Sequence, residues 1–170
     1  MDFLDQLPAL VGVVVGAAGS YLASSRTDKL RWQRARAERW DERRFEIYKS
    51  YANVLKRFGQ IALRIGVARG FEHGAQPLDP AEGMEALAEA EAVRAAEWEG
   101  VLLVADTETI RAAREWHKIV WTLDHYARGM RSEPGGWQEA VRNAVDARNR
   151  FYACARRDLG ITGGLLPVET

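Results

Sequence analysis

Residues 37–68 read AERWDERRFEIYKSYANVLKRFGQIALRIGVA, a stretch without proline and without glycine until Gly59. Ala37, Trp40, Arg44, Ile47, Tyr51, Val54, Phe58, Ile61, Ile65 and Ala68 recur at alternating spacings of three and four, the period of one helix face. Tyr48, Leu55 and Ala62 lie beside that stripe and widen it. A wide stripe suits a bundle core better than a two-stranded seam. Arg44 is the one charged member, and an unpaired charge there would be costly to bury. The spacing predicts a helix over about 28–69, ending around Gly70 before a turn-rich loop that runs to Pro77.

Three shorter helices follow from the same reading. Asp79 can cap the next one, Pro80 suits its first position, and Glu82 completes an Asp-x-x-Glu pattern. Its inward positions are Met84, Leu87, Ala88, Ala95, Trp98, Val101 and Leu102. Val101–Val104 resembles a strand in isolation, but no partner strand exists to pair with it. Asp106 or Thr107 starts a third helix, with Ile110, Ala113, Trp116, Val120, Leu123, Ala127 and Met130 inward, which ends at 132–136. The last runs from about Trp137 to Leu159, with Trp137, Val141, Ala144, Phe151, Ala155 and Leu159 inward and Gly160 terminating it. Residues 161–170 read as an irregular tail.

The first helix would be ~60 Å long and its three partners ~35 Å each. Only its part from about Phe45 onward can then be covered, leaving 26–44 as a basic stalk. The expected fold is all-α: an N-terminal anchor (1–25), a juxtamembrane stalk (26–44), an antiparallel four-helix bundle (45–160) and a tail (161–170). The bundle has enough residues to fold alone.

The anchor rests on Leu7–Ala23, an apolar run inside twenty uncharged residues, Gln6–Ser25. About 17 residues is the lower limit for spanning a ~30 Å hydrocarbon core. A cleaved signal peptide needs a basic leader, whereas Asp2 and Asp5 make this one acidic. A buried soluble helix is rarely so long and so free of charge. Arg26, Lys29, Arg31, Arg34, Arg36 and Arg39 all follow the run, so the positive-inside rule places the N-terminus outside and the bundle in the cytoplasm, at the inner membrane. Gly12 and Gly16 form GxxxG, and Ser20 and Ser24 continue the ridge. That stripe permits close helix approach and predicts a homo-oligomer held together through the anchor.

Charge is polarised along the chain although the 24 basic and 24 acidic side chains cancel. Residues 26–71 carry a net +8 and residues 72–108 a net −9, with Arg94 the only base in the acidic block. Neutrality removes global basicity as an argument for nucleic acid. Arg26, Lys29, Arg31 and Arg34 sit where they set topology and attract anionic headgroups, each worth about 1 kcal/mol close to the surface. Trp32 and Trp40 interleave with those bases, but both also suit helix contacts.

Trp40–Tyr48, Leu102–Ile110 and Phe151–Gly160 resemble segments of a loose group of bacterial single-span membrane proteins with a cytoplasmic helical bundle. The resemblance implies the anchor-plus-bundle layout and brings no catalytic residue.

No nucleophile-and-base arrangement and no phosphate loop is recognisable, which points away from an enzyme; catalytic, cofactor and metal residues are expected to be none. His117 and Asp124 share a helix face, but Glu115-Trp116-His117 lacks the Glu-x-x-His spacing of carboxylate-bridged bundles. His73 has no evident partner in its loop. Lone Cys154 excludes an internal disulfide and suits a small apolar packing role. The expected function is a membrane-anchored interaction scaffold with an unidentified protein partner. A pore- or lesion-forming effector assembled through the anchor ridge is the alternative.

Overall fold

A computed structural model gives the structure of the protein and describes residues 39–161. The apolar run 7–23, the ridge Gly12, Gly16, Ser20 and Ser24, and the cations Arg26, Lys29, Arg31 and Arg34 lie outside the described residues. So does the tail beyond Ile161. Among the described residues, no helix is long and apolar enough to cross a membrane.

Residues 39–158 form an all-α four-helix bundle. Its helices are α1 (39–68), α2 (Pro80–Val104), α3 (Thr107–Ala127) and α4 (Pro134–Asp158). Neighbours alternate in direction, as short connections require. A Cβ added to Gly100 of α2 would lie 3.2 Å from Ile47 of α1. At the other end of the same pair, Gly83 lies against Ile65. On α4, Asp158 meets Arg44 while Trp137 covers Gly66. α1 and α3 run parallel and touch directly, through Tyr51 with Ala113 and Gly59 with Val120.

The core is the wide α1 stripe pressed against one face of each partner. Tyr48, Tyr51, Leu55, Phe58, Ile61, Ala62 and Ile65 are all buried. Phe151 sits at its centre, with ring centroids 5.6 Å from Trp116 and 5.8 Å from Tyr51. Of the four large rings expected inward, Trp116, Trp137 and Phe151 are buried and Trp98 is half-buried. Trp40 departs from the stripe and is exposed.

Caps form where side chains can supply them. Asp79 Oδ1 accepts from Ala81 N at 2.8 Å, and Pro80 takes the first helical position, where its missing N–H costs nothing. Asp106, rather than Thr107, caps α3 by accepting from Thr109 N at 2.7 Å. α1, α3 and α4 stop in the same way. The N–H of an αL glycine (Gly70, Gly129 or Gly160) and that of the residue after it turn back onto carbonyls of the last turn. α3 therefore ends at Ala127, and Met130, expected on its inward face, is exposed past the cap. Val101–Val104 is the last turn of α2, not a strand.

α2 differs most from its expected face. Its buried positions are Gly83, Leu87, Ala90, Arg94 and Val101, while Ala88, Ala95 and Leu102 are exposed. Spacings of four and three carry that stripe through Arg94, so the helix turns a charged side chain inward where the sequence suggests alanines.

Candidate functional site

Three sets of polar or groove-forming side chains stand out. The first is Arg94 and its surroundings. Glu91 precedes it by three positions, so both lie on one helix face. The carboxylate takes both ends of the guanidinium fork, Nε at 2.7 Å and Nη2 at 2.8 Å. The Arg94 side chain is only 8 % exposed, so desolvation pulls its pKa down; the Glu91 hydrogen bond and charge outweigh that and raise it overall. A buried arginine is tolerated only with such a partner. Tyr51 of α1 closes one side. Its hydroxyl donates to Ala113 O at 3.2 Å, and burial pushes the phenol up to about 12.

His117 of α3 faces the same pair, with Nε2 3.9 Å from Glu91 and its ring edge-on to Trp121 at 4.9 Å. Burial is the main force that lowers its pKa to about 4, and Arg94 adds to it against the pull of Glu91. The imidazole is therefore neutral near pH 7, and its contact with Glu91 is not an ion pair there. Nε2 is buried and has no hydrogen-bond partner. Glu91 is thus occupied by Arg94 within α2, and neutral His117 of α3 packs beside the pair without a hydrogen bond to it.

The second set lies at the end of the bundle where α2 and α4 terminate. Arg44 Nε donates to Val104 O at 3.2 Å and Nη1 to Asp158 O at 3.0 Å, while Nη2 pairs with the Asp158 carboxylate. One guanidinium thus serves the orphan carbonyls of two helix C-termini, the position that a cation favours. Tyr48 donates to the same carboxylate, and burial is the largest cause of the upward shift of its pKa. This pairing removes the cost that Arg44 poses when read as an unpaired charge on the stripe. At the opposite end Arg69 does the same for α3, donating Nε to Ala127 O.

The third is a groove of about 300 Å³ between α1 and α4, lined by Tyr48, Phe151 and Tyr152 and, near the end of α4, by Leu159 and Ile161. Lys49 and Arg156 also line it.

The polar residues singled out from the sequence are not brought together. Asp124 is buried and held by its own helix neighbour Arg128 at 2.8 Å, not by His117. His73 accepts from Ala75 N at 3.1 Å within its loop, the partner that the sequence does not reveal. Cys154 is half-buried beside Arg150 and Arg157 rather than enclosed. Among the described residues, no three His, Cys, Asp or Glu side chains gather as a cation site. Sequence reasoning missed Arg94 as a buried group, although its isolation in an acidic helix was a signal. No family model matches this chain, and neither a curated protein nor a solved structure matches it.

Proposed function

We propose that this chain is a membrane-tethered helical interaction module, which presents a cytoplasmic bundle at the inner membrane face to hold a protein partner. The observation that carries this reading is the uncharged run Leu7–Ala23 with cations only on its C-terminal side, from Arg26 to Arg39. A four-helix bundle with an aromatic core supports it from the other side, since such a unit offers rigid helix faces for recognition. Exposed Phe45, Leu103 and Trp121 supply apolar contact points. The ridge Gly12, Gly16, Ser20 and Ser24 supports association of the anchors into a homo-oligomer, and Arg26, Lys29, Arg31 and Arg34 support contact with anionic headgroups.

Protease access in vesicles of defined sidedness tests the topology. Cleavage within the bundle is expected in inverted inner-membrane vesicles and not in intact cells. Crosslinking of the intact protein in its own membrane, followed by purification, should then recover a discrete protein partner. Rapid loss of membrane potential on overexpression, abolished by Gly16→Leu, would replace this reading with a membrane-active effector.

A further inference from the structure

We propose that the chain's own segment 162–168 docks in the groove between α1 and α4, with Leu165 and Leu166 against its aromatic lining. The argument starts at the end of α4. Gly160 adopts φ +69°, and the Gly160 and Ile161 N–H groups bond back to Arg157 O and Arg156 O, the latter at 2.8 Å. This αL turn reverses the chain, a geometry that residues other than glycine rarely adopt. It delivers Ile161 into the lining of the groove instead of away from the bundle.

The sequence that follows is Thr162-Gly163-Gly164-Leu165-Leu166-Pro167-Val168-Glu169. The sequence places two glycines just past the turn and an apolar run next. Five residues from Ile161 to Leu166 reach up to ~17 Å when extended. The groove follows α1 from Phe45 to Asn53, a rise of ~12 Å along the helix. The apolar run therefore reaches the whole groove, and Pro167 suits an extended segment that needs no ladder hydrogen bond there. This docking is independent of the membrane reading.

Engineered cysteine pairs in the full-length protein test it, in a Cys154→Ser background. Asn53→Cys lies on the exposed lip of the groove, and Glu89→Cys is an exposed control on α2. Each is combined with Leu166→Cys and oxidised mildly. The Asn53/Leu166 pair should close within one chain at least about tenfold faster than the Glu89/Leu166 pair, because docking raises the local concentration of one thiol at the other. Leu165→Asp should remove that advantage. The substitution lies beyond the last helix, and an unchanged melting curve would confirm that the bundle is intact. Equal rates for the two pairs, or an advantage that survives Leu165→Asp, would overturn the proposal. So would a disulfide that forms only between chains, which would assign the groove to a second copy.

Discussion

The two ends of the bundle are closed by different physics. Where α1 passes the C-termini of α2 and α4, the closure is ionic: Arg44, Tyr48 and Asp158 meet with little exposure, and helix carbonyls take the remaining guanidinium donors. Where α1 ends, the closure is aromatic. Phe71 stacks on Trp137 with centroids 5.0 Å apart, Tyr126 sets its edge to both, and Trp137 Nε1 donates to Glu72 O at 3.1 Å. The aromatic end needs bare backbone beneath it, since a Cβ on Gly66 would collide with the Trp137 ring. The ionic end can be taken apart in matched pairs, whereas the aromatic end cannot lose a ring without leaving a void.

The largest effect should come from breaking the aromatic end. Trp137→Ala should cost about 3–5 kcal/mol in urea unfolding, since it removes a fully buried ring and leaves a cavity that α1 cannot fill. Asp158→Ala should cost about 2–3 kcal/mol, because it removes the buried carboxylate that Arg44 and Tyr48 share. Replacing both partners, as in Arg44→Met with Asp158→Leu, should recover most of that loss. If the double variant is as unstable as the single one, the pair is not the unit that closes this end.

A pH series separates both ends from the middle of the bundle. The pKa of His117 in the folded chain is about 4, below its ordinary value near 6.5. The unfolded chain therefore binds more protons between those values. Stability is unaffected by this group above pH 6.5 and falls as pH drops toward 4, by on the order of 1–3 kcal/mol. His117→Leu should flatten that part of the curve, as measured by unfolding at each pH. The smallest effect belongs to the surface: Lys49→Ala breaks an exposed pair with Glu46 and should change stability by no more than about 0.5 kcal/mol.

The sequence made α1, α3 and α4 legible because large side chains repeat there at helical spacing and glycines stand at the stops. α2 was less legible because alanine and glutamate alternate almost without contrast. Ala88 and Ala95 look as good inward as Ala90, and the face that turns in carries Leu87 and Val101 with Gly83 against Ile65. Met130 misled for a related reason. The residue that follows a terminating glycine is commonly apolar, so the stripe seems to continue past Gly129 although the helix has ended. Of the polar clusters, little could be read. Arg44 was visible as an anomaly on its stripe, but its partners lie 60 and 114 positions away.

The proposed division of labour gives the bundle to residues 39–158 and membrane attachment to the apolar run before them. Flotation with inner-membrane vesicles after an alkaline carbonate wash tests it most directly, with the full chain beside a 39–161 fragment. The full chain should float with lipid while the fragment stays in the aqueous layer, still helical and melting cooperatively. Release of the full chain by carbonate, or flotation of the fragment to the same extent, would contradict it.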